Sequence, residues 1–99
     1  MKATGKTRDG KIVEFGINDD VLNCTCSNLA KLQIPAGCKT VYCFNNNLSE
    51  LQIPEGCEYV NCSGNNLSDL QIPEGCKYVD CSYNNLTKLQ IPAGCKVYR

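Results

Sequence analysis

A repeat solenoid built of short extended coils is the fold class this sequence predicts, and three observations predict it. The segments Leu32-Gln-Ile-Pro-Ala-Gly-Cys38, Leu51-Gln-Ile-Pro-Glu-Gly-Cys57, Leu70-Gln-Ile-Pro-Glu-Gly-Cys76 and Leu89-Gln-Ile-Pro-Ala-Gly-Cys95 recur at a strict offset of nineteen residues, without insertions. A coil of that length cannot hold two helices and a turn, so ankyrin-like and tetratricopeptide-like arrays are excluded. Within a coil, Cys57-Glu-Tyr-Val60-Asn-Cys62-Ser alternates outward and inward side chains as a half-buried strand does. Units of this kind bury their apolar faces only by stacking on their neighbours.

The elements follow in chain order. Residues 1–18 do not repeat. Thr4 to Arg8 and Lys11 to Ile17 flank Asp9-Gly10, a two-residue signal for a tight turn, and predict a capping hairpin. Its expected task is to cover the apolar end of the first coil, with Phe15 as the plug, because a bare solenoid end exposes core and strand edge. The solenoid occupies 19–99, with coils starting near residues 19, 38, 57 and 76 and a partial coil at 95. In each coil the strand is followed by a turn such as Gly64-Asn65-Asn66 and by apolar anchors such as Leu67 and Leu70. Ile72-Pro73-Glu74-Gly75 then closes the coil with a fixed proline dihedral and a permissive glycine.

The segment Cys76-Lys-Tyr-Val79-Asp-Cys81-Ser-Tyr-Asn84-Asn-Leu86 fits L-x-x-L-x-L-x-x-N-x-L when Cys and Val fill apolar slots, and so resembles the leucine-rich repeat family. The resemblance runs from Asp19 to Arg99, and the short coil with its Leu-x-Ile-Pro return looks like the short bacterial type. It implies an arc with a short parallel sheet on the concave face and a mostly extended or turn-like convex side. It also implies a column, Asn46, Asn65 and Asn84, whose side chains bond backbone groups of neighbouring turns, and protein binding on the concave strand face. Ser27 stands in that column in the first coil, which is therefore expected to be frayed or atypical.

Composition excludes several function classes. Ten basic and ten acidic side chains give zero formal charge, which lacks the electrostatic footprint required by nucleic acid or an anionic membrane surface. The absence of His removes Ser-His and Cys-His dyads and every His-containing zinc site, so no enzyme and no cofactor are expected. Met1 to Asp9 lacks the apolar segment of a secretory signal, and a cytoplasmic location is the expectation.

Eight of the nine cysteines fall in two columns, Cys38, Cys57, Cys76 and Cys95, and Cys24, Cys43, Cys62 and Cys81, both at inward slots. The preferred reading is that free Cys acts as a small hydrophobe in a narrow interior. A ladder of thiolate metal sites and disulfides between rungs are the alternatives. Cys26 falls outside both columns, in the turn, and is the candidate exposed thiol.

With Val41, Val60 and Val79 pointing in, Thr40, Tyr42, Phe44, Tyr59, Asn61, Tyr78 and Asp80 point out, and Tyr83 lies beside them. Burial inside the coil cannot explain these aromatics. Their enrichment at binding hot spots makes these eight residues the candidate site for another protein. The competing reading is structural: tyrosines in one column of adjacent rungs stack on each other. Charges mix in sign along each column and form no site. Cys95, Lys96, Val97, Tyr98 and Arg99 form the second candidate, an edge strand able to pair two copies as a homodimer, or else the point at which the chain continues as a piece of a longer solenoid. Its register is open, since Tyr98 aligns with the inward valines by period while a one-residue slip would place Val97 inward.

Overall fold

A computed structural model describes all 99 residues. The chain is a β-solenoid of about four turns with parallel sheets and no helix, measuring 37 × 29 × 15 Å. It opens with a hairpin of β1 (Lys2–Thr7) and β2 (Ile12–Gly16). The first coil carries β3 (Val21–Asn23) and β4 (Leu29–Gln33), and the second β5 (Thr40–Tyr42). Next come β6 (Tyr59–Asn61) and β7 (Asp69–Gln71), then β8 (Tyr78–Asp80) and β9 (Lys88–Gln90), and finally β10 (Lys96–Tyr98).

One face is a five-stranded parallel sheet in the order β10-β8-β6-β5-β3. Val21, Thr40, Tyr59 and Tyr78 are in register, as the nineteen-residue period requires. Strand pairing also reaches the return side, where β7 pairs in parallel with β9. The Leu-Gln-Ile alternation explains it: Leu70 and Ile72 are buried while Gln71 faces out.

The interior is one cluster of twenty buried apolar residues, and seven of them are cysteines: Cys24, Cys38, Cys43, Cys57, Cys62, Cys76 and Cys81. Leu22, Val41, Val60 and Val79 form one inner row, and Leu29, Leu48 and Leu67 another. Polar groups inside the turns are met by the asparagine column. Asn46 Nδ2 donates to the carbonyls of Cys24 and Cys43, both at 3.0 Å, while its Oδ1 accepts the amides of Ser27 and Leu29 at 3.0 Å. Asn65 and Asn84 repeat the bridge one and two coils on, accepting the amides of Leu48 and Leu67.

The hairpin starts earlier than the expected Thr4, at Lys2, and its connection is longer than the expected two residues. Gly10 donates to the Thr7 carbonyl at 3.0 Å and Thr7 to that of Lys11 at 2.9 Å, which closes a three-residue loop. Gly10 takes φ 91°, the left-handed conformation such a loop needs at its last position. Phe15 packs half-buried against the core, but the closest approach is made by Gly5. A Cβ there would lie 2.7 Å from Leu29 Cδ2, so any other residue would have to displace the buried Leu29 side chain for the hairpin to close over the first coil. The hairpin also joins the solenoid covalently distant but hydrogen-bonded, through antiparallel pairing of β1 with β4.

Candidate functional site

The site rises from the alternation within the five-stranded sheet. Inward valines leave Thr40, Tyr59 and Tyr78 as one outward column and Tyr42, Asn61 and Asp80 as the next. The open register of the last strand is settled by the pairing Lys96 with Tyr78, Val97 with Val79 and Tyr98 with Asp80. The period slips by one residue. Val97 therefore packs on the core and Tyr98 lies outside at 45% exposure, because a tyrosine ring would overfill a slot that holds valine in the three preceding strands.

That slip completes a ladder of four rings. Ring centroids of Tyr42 and Tyr59 are 5.8 Å apart, those of Tyr59 and Tyr78 are 4.5 Å apart and stacked within 4°, and those of Tyr78 and Tyr98 are 5.2 Å apart. Tyr98 was expected at an edge; the structure brings it onto the face. The Tyr78 phenol is pushed up by burial against its neighbours, then by the Tyr59 and Tyr98 phenols and by the Asp80 carboxylate. At the end of the ladder, Lys96 Nζ lies 5.9 Å from the Tyr98 ring centroid.

Asn61 and Asp80 do more than face outward. Asn61 Oδ1 accepts the Ser63 amide at 3.1 Å and hydroxyl at 2.8 Å, and Asp80 Oδ1 accepts the same two groups of Ser82 at 3.1 and 2.6 Å. Asn23 makes the equivalent pair with Thr25. These side chains close the strand ends as local turns. The signal was present in the sequence as Asn-Cys-Thr, Asn-Cys-Ser and Asp-Cys-Ser at one position of the repeat. The second coil has Tyr42 and Phe44 there instead, and Phe44 is half-buried outside the ladder. Thr40 stands between Val21 and Tyr59 in the column that continues to Tyr78. Tyr83 is separate from the ladder: it sits in the turn at φ 54°, 87% exposed, where Cys26, Asn45 and Gly64 share the left-handed conformation.

All nine cysteines are free thiols, and Cys26 is exposed. Cys57 Sγ faces the carbonyls of Lys39 at 3.5 Å and Tyr59 at 3.7 Å, and Cys38 and Cys76 repeat this in their coils. Burial, reinforced by other thiols, pushes Cys24, Cys57 and Cys62 up to about 12. No group of three or more His, Cys, Asp or Glu side chains is arranged to hold a metal ion.

The molecule's one groove, of ≈ 1380 Å³, lies on the return side and not on the tyrosine face. Gln33, Gln52, Gln71 and Gln90 line it together with acids and lysines of mixed sign. Comparison of the chain with protein-family models, with curated proteins and with solved structures gives no match.

Proposed function

We propose that this chain is a small leucine-rich-repeat-type module that binds another protein through its tyrosine face and performs no chemistry. The bridging asparagine column and the Leu-x-Ile-Pro returns support that repeat type. The observation that carries the binding reading is the ladder of Tyr42, Tyr59, Tyr78 and Tyr98 on the outer face of a parallel sheet. Tyrosines offer large contact area with few rotors to freeze, as hot-spot residues do. Thr40, Phe44, Asn61, Asp80 and Tyr83 complete the contact surface in this reading. Nine free thiols favour a reducing compartment, and the cytoplasm is the location proposed.

The test is a pull-down comparing the native chain with a Tyr42, Tyr59, Tyr78 triple-alanine chain, followed by affinity measurement on the identified protein. Tyr59→Ala and Tyr78→Ala are each expected to weaken binding by about 1–3 kcal/mol. Each loses ring stacking worth only about 0.5–1.5 kcal/mol, so melting temperatures should fall by no more than roughly 10 °C. A large drop in stability with unchanged binding would show that the tyrosines serve only to stack.

A second reading, self-association, rests on a different observation. β10 pairs only with β8, while Leu86, Leu89, Cys95 and Val97 beside it are only partly buried and Ile91 is 48% exposed. Two such edges from Cys95 to Arg99, paired antiparallel, would satisfy backbone groups and cover these side chains in one contact. Light scattering of the 99-residue chain is then expected to give a dimer. A strict monomer at high concentration, with the Val97 and Tyr98 amides exchanging as in a free tail, contradicts it.

A further inference from the structure

Resting on the reading that the tyrosine face docks a protein, we propose that Asp80, Tyr78 and Tyr98 seat an arginine side chain of that partner. Tyr78 and Asp80 lie two residues apart on the outer face of β8, and the pairing with β10 places Tyr98 directly beside Asp80. The rings of Tyr78 and Tyr98 are 5.2 Å apart and inclined by 47°, and Asp80 shares the outer face with both, across from Tyr98 in the pairing and two residues on from Tyr78.

What Asp80 adds to this face is charge. Its Oδ1 is used by Ser82, and no other hydrogen bond reaches the carboxylate. The molecule's one ion pair joins Lys2 to Glu14, on the hairpin. The preceding coil shows that the turn itself needs no charge, because Asn61 closes on Ser63 with the same two hydrogen bonds. Relative to that amide, Asp80 brings only a negative charge that no cation of the chain meets at ion-pair distance, half-buried on the outer face of β8.

The ligand that answers such a face is a cation able to lie on a ring. A guanidinium is planar, is weakly hydrated compared with an ammonium, stacks on tyrosine, and presents a fork of N–H donors to a carboxylate. An ammonium meets only part of this, since it is a point charge with a tight hydration shell. Within the chain one cation already lies over this face, Lys96 Nζ being 5.9 Å from the Tyr98 ring centroid.

The test titrates the full chain with acetyl-Gly-Arg-Gly-amide, observed by NMR, beside the citrulline and lysine counterparts. The expected result is a saturable shift centred on Tyr78, Asp80 and Tyr98. Binding should weaken about tenfold for uncharged citrulline and about threefold for lysine. Asp80→Asn keeps the Ser82 turn, as Asn61 demonstrates, and is expected to weaken the arginine peptide about tenfold while leaving the melting temperature unchanged. Equal binding of arginine and citrulline, unchanged binding by Asp80→Asn, shifts centred elsewhere, or no saturable shift would each overturn the seat. If the peptide fails while an identified partner still binds in a Tyr59- and Tyr78-dependent way, the seat is wrong and the protein-binding reading stands. Peptide binding at Asp80, with partner affinity indifferent to the tyrosines, would uphold the seat and sink that reading.

Discussion

Asn46→Ala is expected to cost about 3–5 kcal/mol, because one truncation strands several buried backbone groups at once. Asn46 is the chain's buried polar residue, and its amide ties the first coil to the second. Removing it leaves the amides of Ser27 and Leu29 without their acceptor and the Cys24 carbonyl without its donor, while the Cys43 carbonyl keeps only its bond from Asn65. Asn46→Asp offers no remedy, since a carboxylate would face two carbonyl oxygens where an NH₂ group now donates. The control is the next residue. The Asn47 side chain meets only Asn28 from an exposed position, at 3.4 Å, and Asn47→Ala should change stability by no more than about 0.5 kcal/mol. Urea unfolding of the two variants checks the contrast. A loss below about 1 kcal/mol for Asn46→Ala would mean that water replaces the side chain in the turn.

Alkali is expected to unfold this protein well before it would unfold one with a hydrocarbon core. Burial comes first among the causes that push the inner thiols up, with the charge of neighbouring thiols in the columns adding to it for Cys24, Cys43, Cys57 and Cys62. Cys38, Cys76 and Cys81 are raised as well. In the unfolded chain these thiols ionise near 9, whereas Cys24, Cys57 and Cys62 in the folded chain hold their protons to about 12. Between those values the folded state binds more protons, so stability is fully present below about 9 and falls as pH rises toward about 12. A deeply buried thiol such as Cys62 contributes at most about 1.4 kcal/mol per pH unit in that window, and Cys24 and Cys57 add smaller, solvent-screened amounts. Summed across the window, these losses are a large share of a domain's net stability of about 5–15 kcal/mol. Urea midpoints measured at intervals from pH 8 to 11 should show the fall. Cys62→Ala should flatten the slope by one proton, and exposed Lys and Tyr residues cancel in the comparison because both chains carry them. A slope that Cys62→Ala leaves unchanged would remove the thiols from the explanation.

The cysteine columns make a wider point about how this interior is built. A coil of nineteen residues encloses little volume, and a thiol fills a slot beside valine while turning its weak donor to a backbone carbonyl, as Cys38, Cys57 and Cys76 do. Leucine at every inward position would demand a wider coil.

By itself the sequence determined whatever the repeat encodes locally. The period fixed the stacking of coils and placed Cys and Val inward on the tyrosine face. Asn46, Asn65 and Asn84 were legible as backbone bridges through the resemblance to leucine-rich repeats, for the physical reason that a buried turn needs a polar side chain to meet its amides. The hairpin was legible from Asp9-Gly10, and the outward setting of Tyr42, Tyr59 and Tyr78 from simple alternation. Where non-repeating chain meets the repeat, only the tertiary structure decided. Pairing of β1 with β4 joins residues far apart in sequence and depends on Gly5 fitting against Leu29, a contact no local pattern announces. The register of β10 was undetermined because period and side-chain volume point to different answers: nineteen residues after Val79 stands Tyr98, too large for the slot that Val97 fills. Packing prevailed over period, and in moving one residue it brought a fourth ring onto the face beside Asp80.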